Sequence, residues 1–261
     1  MIGNGLGVPP DPVTPAESFS SLLRAHGIEP QWTAAAGAER LEAPEATTVL
    51  AFRYGGGVVM AGDRRATAGN LIAHRNVQKV FSADRFSAVA ISGTAGIAVE
   101  LIKLFQTELE HYEKLEGNRL SLEGKANYLA RMIRGQLQLA FQGLVVIPLF
   151  CGFDEDEGRG RLFSFDVVGG RYEETDYAAT GSGGRDAKLY LRTAFRDDLD
   201  EPAALRLALE SLLAAAEEDT ATGGPDLQRG IFPNVVTVSG DGFRELSEEA
   251  VEAATREVMG S

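Results

Sequence analysis

The sequence predicts an α+β fold in which two packed antiparallel sheets are covered by helices on both outer sides. Three observations lead to this prediction: short β-branched runs come first, two helical patterns follow, and strands then return before a last group of helices. Helices and sheets each bury one face against another layer, and two sheets with helices outside both satisfy this order. The 261 residues, 44% of them apolar, suffice for one large domain.

The first predicted strands begin at Thr47, where the residue composition changes. TTVLAFR and GVVMAGD are β-branched runs joined by Tyr54-Gly55-Gly56, which predicts a hairpin. RFSAVAIS, residues 85–92, predicts another strand that Gly93 ends.

Two helices are predicted next. Apolar residues recur at helical spacing in the first, and Ser121 is the expected N-cap of the second, which Gly143 follows. The apolar positions of the first helix are Val99, Leu101, Ile102, Phe105 and Leu109. Those of the second are Leu122, Ala126, Leu129, Ile133, Leu137 and Ala140.

The second half returns to strands in LVVIPLFCGF, GRLFSFDVVG and GRYEETDYAATG. A helix is predicted after GSGG, another in AALRLALESLLAAAEE, and a late strand in NVVTVS. Ser247 is the expected N-cap of the last helix, since Glu248 and Glu249 favour its positive N-terminal end.

Residues 1–46 differ from the rest because they are rich in Pro, Gly and Ala. Their only apolar cluster is Phe19, Leu22 and Leu23, too little to order the segment alone. The segment is either a tail or a propeptide that ends at Ala46, and the residues that follow favour the propeptide.

Composition excludes several classes of function. A net charge of −13 argues against nucleic acid and anionic membrane surfaces. The one cysteine, Cys151, lies in an apolar run and is expected to be a buried, inert thiol, as suits a reducing compartment. His26, His74 and His111 lack ligand spacing, so no metal site is expected. The sequence has no secretory signal or membrane span, which favours a cytoplasmic protein.

Thr47 begins a pattern that has chemical meaning. A threonine released as an N-terminus carries its own base, since an α-amine of pKa about 7.7–8.0 can accept the hydroxyl proton near neutral pH. Asp63 lies 16 positions after Thr47 and Lys79 lies 32 after it. A buried lysine would favour the neutral amine, and an aspartate would hold the lysine charged.

Each candidate also has an ordinary explanation. Thr47 and Thr48 are common strand residues. Asp63 could be a turn residue, and Lys79 could be a solvent-exposed lysine in a strand. Elsewhere, Gly93 could end a strand, Ser182 could cap a helix, and Asp219 with Thr222 could stop one. The prediction of a catalytic site rests on the order and spacing of these residues together, not on any single one of them.

That joint pattern resembles the β-subunit of the 20S proteasome over about residues 47–257. The matching strings are GGVVMAGDRRAT, QKVF, SGTAG, ELEHYEKLEG, SFDVVGG, TGSG and ATGGPDLQRGIFP. ELEHYEKLEG and ATGGPDLQRGIFP point to the actinobacterial form. The resemblance implies the Ntn-hydrolase fold, a four-layer αββα sandwich, with residues 1–46 as a propeptide removed by autocatalysis and 47–261 as the catalytic domain.

The resemblance also implies roles for individual residues. Thr47 matches the nucleophile, cleaved from Ala46, and Asp63 and Lys79 match the pair that tunes it. The backbone N–H of Gly93 matches the oxyanion donor. The residues implied to hold the α-amine and its water are Ser182 and Asp219, with Thr222 in support.

Substrate contacts follow from the same resemblance. Thr67 and Ala95 match residues whose backbone pairs with an extended substrate. The pocket before the cleaved bond would be lined by Ala66, Val77, Phe81, Ile91 and Ala95. All five side chains are apolar, so an apolar preference is expected.

The implied function is a threonine endopeptidase that degrades unfolded proteins and needs no cofactor. The implied partners are α-subunit rings and other β-subunits, in seven-membered rings stacked as α7β7β7α7, and a hexameric ATPase that delivers tagged proteins. Ala46 stands where the family usually has Gly, which favours slower processing because Gly accommodates tight turns better.

The pattern has three alternative interpretations. A poorly processed or non-catalytic structural β-type subunit is the main alternative. A proteasome α-subunit is disfavoured because that class lacks the nucleophile set. The related bacterial two-ring peptidase is shorter and would lack ATGGPDLQRGIFP.

Overall fold

A computed structural model describes residues 47–260 of the chain. The predicted propeptide, residues 1–46, lies outside the described residues. The strands are β1 (Thr48–Tyr54), β2 (Gly57–Gly62), β3 (Ala66–Ala68), β4 (Leu71–His74), β5 (Val80–Asp84), β6 (Ser87–Gly93), β7 (Val146–Asp154), β8 (Arg159–Phe165), β9 (Arg171–Glu174), β10 (Tyr177–Gly181), β11 (Asn234–Ser239) and β12 (Gly242–Glu245). The helices are α1 (Ala95–Glu116), α2 (Leu122–Gly135), α3 (Leu137–Phe141), α4 (Gly184–Ala194), α5 (Glu201–Glu218) and α6 (Glu248–Gly260).

The strands form two five-stranded antiparallel sheets and one short ribbon. The first sheet has the order β10-β1-β2-β11-β12, and the second has the order β5-β6-β7-β8-β9. The ribbon pairs β3 with β4. In the first sheet β1 lies between β10 and β2, so the residues that follow Thr47 are held on both sides.

Three hydrophobic clusters separate four layers. One joins the outer face of the first sheet, including Leu50 and Phe52, to α4, α5 and α6. A second lies between the two sheets and contains Val49 and Ala51. A third joins the outer face of the second sheet, including Phe150, to α1 and α2. Successive residues of β1 thus enter different cores, as the two-residue strand period requires, and the predicted αββα sandwich is confirmed.

The predicted hairpin and both predicted N-caps are confirmed. Tyr54 pairs with Gly57 across the turn. The N–H of Gly124 donates to Ser121 Oγ at 3.1 Å, and the N–H of Ala250 donates to Ser247 Oγ at 3.3 Å. These side chains satisfy amide groups that a helix leaves unpaired in its first turn.

Two boundaries were predicted wrongly. The helix expected to continue through Ala140 ends at Gly135, and α3 begins after Gln136. Glycine has low helix propensity, and the N–H of Gln136 instead donates to the carbonyl of Ile133. The run GRYEETDYAATG is two strands rather than one.

The two strands of that run belong to different sheets. β9 pairs with β8 in the second sheet, and β10 pairs with β1 in the first. Four further strands, β3, β4, β5 and β12, were not predicted from the sequence. These strands are three to five residues long, too short for the two-residue period to be distinctive.

No helix within residues 47–260 is long and apolar enough to cross a lipid bilayer.

We predict that Gly160→Ala destabilises the fold, because β8 approaches β2 closely at this glycine. A Cβ there would lie 2.5 Å from Val58 Cγ2 and 2.7 Å from backbone atoms of Gly57. Overpacking of this kind costs about 1–3 kcal/mol. Urea unfolding of the purified chain measures the change.

Gly135→Ala is the matched control, since a Cβ at Gly135 would meet nothing within 4 Å. It should leave the free energy of unfolding unchanged or raise it by up to about 1 kcal/mol. Equal effects of the two substitutions would contradict the close approach of the sheets at Gly160.

Candidate active site

The carboxylate of Asp63 is the centre of the polar structure next to Thr47. Asp63 follows β2 and is 0% exposed. Its Oδ1 accepts the N–H of Thr48 at 2.8 Å and Nζ of Lys79 at 2.5 Å. Its Oδ2 accepts the N–H groups of Arg65 and Gly223, both at 2.8 Å. One buried charge therefore connects its own loop to the start of β1, to Lys79 and to the loop that contains Gly223.

Lys79 is the cation that compensates this charge, and it lies just before β5. The residue is 2% exposed, and its Nζ also donates to the carbonyl oxygen of Arg65 at 2.5 Å. Burial lowers the pKa of Lys79, although the charge of Asp63 acts in the opposite direction. The ammonium therefore releases a proton more readily than an ordinary lysine.

The side chain of Arg65 also holds the loop after α5 at this centre. The Arg65 guanidinium donates to the carbonyl oxygens of Thr220 and Thr222 at 2.9 and 3.2 Å. A Cβ at Gly223 would lie 2.6 Å from Cβ of Arg65, so the loop backbone packs directly on this side chain. These contacts bring Asp219 and Thr222 toward Asp63.

Thr47 immediately precedes β1 and is buried. Its carbonyl oxygen accepts the N–H of Ser182 at 3.1 Å. Gly181 has φ of +100°, and a Cβ there would lie 1.6 Å from that same oxygen. Only glycine allows the end of β10 to approach Thr47 this closely.

A chain of hydrogen bonds extends from the next residue. The N–H of Gly183 donates to Thr48 Oγ1 at 2.9 Å, and this oxygen lies 2.6 Å from Thr222 Oγ1. Thr222 Oγ1 donates to Oδ2 of Asp219 at 2.5 Å. From the sequence Thr48 suits only an ordinary strand position, and its place in these hydrogen bonds was not predicted.

Ser182 and Asp219 form one group with Thr222. Burial raises the pKa of the Asp219 carboxyl, but hydrogen bonds from the Ser182 and Thr222 hydroxyls and from backbone N–H groups lower it more, so its net shift is downward. Asp219 therefore remains ionised under mildly acidic conditions. Ser182 is not the cap of α4, because that position belongs to Gly183.

Gly93 ends β6 just before α1 begins. It has φ of +102°, and a Cβ would lie 2.1 Å from the carbonyl oxygen of Val145. The neighbouring Ser92 Oγ lies 3.2 Å from Thr180 Oγ1 on β10. This contact links the end of β6 to the strand that pairs with Thr48.

The six predicted substrate-binding residues lie on four structural elements, β3, β5, β6 and α1, and on the segment before β5. Ala66 and Thr67 belong to β3, and Ala95 is the first residue of α1. Val77 donates its N–H to the carbonyl of Arg64, and Ile91 donates its N–H to the carbonyl of Lys79. The side chains of Phe81 and Ile91 both pack with the core beneath α1 and α2. A common pocket lined by Ala66, Val77, Phe81, Ile91 and Ala95 stays a prediction, as does backbone pairing of substrate with Thr67 and Ala95.

Several residues of the site were not identified from the sequence. They are Thr48, Arg65, Gly181, Gly183 and Gly223. The glycines of TGSGG and ATGGPD carried a signal, because paired glycines between regular elements often mark close backbone approach. Nothing in the sequence distinguished Arg65 from Arg64.

The arrangement can support nucleophilic chemistry at a hydroxyl. It supplies a buried cation of lowered pKa, a carboxylate that holds it, and a second carboxylate with two hydroxyl partners. Within residues 47–260, no group of three or more His, Cys, Asp or Glu side chains is arranged to hold a metal ion.

The chain is similar to known proteins over most of its length. The family model described as "Proteasome subunit" matches residues 44–226. The chain is 53% identical to the proteasome subunit beta of Acidimicrobium ferrooxidans, covering 91% of this chain and 87% of that protein. It is 55% identical to those of Streptomyces griseus and Acidothermus cellulolyticus, covering 84% and 86% of this chain and 78% and 79% of theirs.

The fold, the residues assembled around Thr47 and these similarities agree, and the chain belongs to the family of proteasome β-subunits of the actinobacterial type.

Proposed function

We propose that the chain is a catalytic proteasome β-subunit, a threonine endopeptidase that removes its own residues 1–46 and then uses Thr47 as nucleophile. The observation that carries the proposal is the buried Asp63–Lys79 pair, with Nζ 2.5 Å from Oδ1, attached directly to the N–H of the residue after Thr47. A buried ion pair of this kind gives little net stability, whereas breaking one costs about 3–5 kcal/mol. Its place beside Thr47 favours a chemical role.

The first reaction is cleavage between Ala46 and Thr47. In the uncleaved chain the nitrogen of Thr47 is an amide and cannot act as a base. The Thr47 hydroxyl oxygen attacks the carbonyl carbon of Ala46, the hydroxyl proton is transferred to the departing nitrogen, and an ester remains. This step already frees the α-amine of Thr47. Water then hydrolyses the ester, which releases residues 1–46 with a carboxylate on Ala46 and restores the hydroxyl of Thr47.

The second reaction is hydrolysis of substrate peptides. The free α-amine accepts the hydroxyl proton of Thr47 as the hydroxyl oxygen attacks the substrate carbonyl carbon, and it gives that proton to the departing peptide amine. Water then hydrolyses the resulting ester, which releases the second peptide as a carboxylate and restores Thr47. Lys79, held by Asp63, favours the neutral amine electrostatically. The N–H of Gly93 stabilises the developing oxyanion, a contribution worth about 10²–10³ in rate in comparable sites. Ser182, with Asp219 as its acceptor, is placed beside the carbonyl of Thr47 and orients the amine and its water.

The relatives are named as subunits of the proteasome, which supports assembly with other subunits. We infer seven-membered β rings stacked between α rings as α7β7β7α7, with a hexameric ATPase that delivers unfolded, tagged proteins. No cofactor is required, since the nucleophile and its base come from the same residue.

One feature favours the alternative of a poorly processed or non-catalytic ring subunit. Ala46 precedes the nucleophile, and Ala accommodates a tight turn less well than Gly. N-terminal sequencing of assembled particles separates the two functions, because only a catalytic subunit begins at Thr47.

Thr47→Ala should leave the 46-residue segment attached and abolish peptidase activity while the fold persists, because the nucleophile of both reactions is lost. Ala46→Gly should instead speed removal of the segment. Intact mass over a time course after mixing with the α-subunit measures both. Cleavage between positions 46 and 47 in Thr47→Ala would show that an outside protease removes the segment.

Activity should depend on assembly. The chain expressed alone should be inactive and should gain peptidase activity when it is combined with the α-subunit. Size fractionation followed by a fluorogenic peptide assay of each fraction measures this dependence. High activity in the monomer fraction would refute it.

Specificity should favour apolar residues before the cleaved bond, because the proposed lining residues carry no charge. The preference should be broad, since a methylene in such a pocket is worth only about 1–3 kcal/mol. Fluorogenic peptides ending in Tyr or Leu should be hydrolysed faster than those ending in Arg or Glu. The opposite ranking would mean that the pocket is assigned wrongly.

A further inference from the structure

The hydroxyl group of Thr48 is enclosed on all sides and has two hydrogen-bond partners from distant parts of the chain. Thr48 and Thr222 are both 0% exposed. Thr48 Oγ1 accepts the N–H of Gly183, the residue that caps α4, and contacts the hydroxyl of Thr222 in the loop after α5. A buried hydroxyl must be hydrogen-bonded, and this one meets the requirement by joining two distant segments to β1.

The direction of each hydrogen bond follows from the number of protons available. The carboxylate of Asp219 has a lowered pKa and acts as an acceptor, so the proton of Thr222 Oγ1 is directed to Asp219. Thr222 can then only accept from Thr48. The chain of hydrogen bonds therefore has one direction, from the N–H of Gly183 through the hydroxyls of Thr48 and Thr222 to the carboxylate of Asp219.

The backbone leaves no space for another arrangement. A Cβ at Gly183 would lie 2.6 Å from Thr222 Oγ1 and 2.7 Å from Thr48 Oγ1. Because both hydroxyls are enclosed, bulk water has no access with which to replace a lost partner. Loss of the Thr48 hydroxyl must therefore leave the N–H of Gly183 unpaired or move the segments that hold Ser182 and Asp219.

We propose that Thr48 is a positioning residue that sets where Ser182 and Asp219 lie relative to Thr47, and thereby sets the rate of both self-cleavage and peptide hydrolysis. This inference rests on the proposed function. Thr48 acts through position alone: it adjoins Thr47 covalently, its N–H is held by Asp63, and its hydroxyl is held by Gly183 and Thr222. It thus connects the two carboxylates of the site.

The test compares substitutions that keep or remove the hydroxyl in particles assembled with the α-subunit. Thr48→Val keeps the shape and should lower kcat about 10-fold or more with KM within about 2-fold, since displaced catalytic groups slow chemistry more than binding. It should slow removal of residues 1–46 similarly. Thr48→Ser restores the hydroxyl and should recover most of both rates.

Thr222→Val should lower kcat in the same way, and the double variant Thr48→Val/Thr222→Val should be little slower than either single one. Residues of one hydrogen-bond network give such non-additive effects. Thr255→Val is the matched control, because its buried hydroxyl donates only to the carbonyl of Val251 in α6, outside the site. It removes a buried hydroxyl and should leave kcat unchanged.

Three results would overturn the inference: kcat of Thr48→Val within 2-fold of the unmodified chain, an equal fall in Thr48→Ser, or an equal fall in Thr255→Val. Thr47→Ala, measured in parallel, separates this failure from failure of the proposed function. If activity depends on Thr47 but not on the Thr48 hydroxyl, only the positioning role is wrong. If activity persists in Thr47→Ala, the proposed function is wrong as well.

Discussion

The buried carboxylate of Asp63 is the interaction on which the geometry around Thr47 depends. A charge with no exposed surface is tolerated only when it is paired and fully hydrogen-bonded. Asp63 meets this condition through Lys79 and the N–H groups of Thr48, Arg65 and Gly223. Because each donor belongs to a different segment, satisfying one charge fixes the start of β1, the approach to β5 and the loop after α5 together.

A second carboxylate, Asp219, organises another group of polar contacts near Thr47. Asp219 caps the C-terminus of α5 and accepts from the hydroxyls of Ser182 and Thr222. Glycines make these contacts possible, since Gly181 and Gly183 come so close to Thr47 and Thr48 that a Cβ at either would overlap them. Thr48 joins the two carboxylates, because its N–H donates to Asp63 and its hydroxyl belongs to the chain of hydrogen bonds that ends at Asp219.

Much of this structure could be predicted from the sequence because its signals are local. The hairpin at Gly55-Gly56, the caps Ser121 and Ser247, and the layered order of strands and helices depend on short-range patterns. The spacing of Asp63 and Lys79 after Thr47 identified the buried ion pair. The remaining errors concern information that is not local.

The assignment of β9 and β10 to different sheets depends on which strands they meet, and a two-residue period does not encode this. The role of Thr48 was missed for a similar reason. Its partner Thr222 lies 174 residues away, and a buried threonine in a strand is ordinary by sequence alone. The role of Arg65 could not be predicted either, because it depends on the loop after α5, which packs on this side chain in the folded protein.

The most direct test of the central claim is to identify which residue becomes acylated. A peptidyl β-lactone opens on an activated hydroxyl and leaves a stable ester. Assembled particles treated with such a reagent, digested and analysed by mass spectrometry should carry one added acyl group on a peptide that begins at Thr47. Acylation of Thr48 or Cys151, or none at all in particles that hydrolyse peptides, would contradict the claim that the Asp63–Lys79 pair serves Thr47 as the nucleophile.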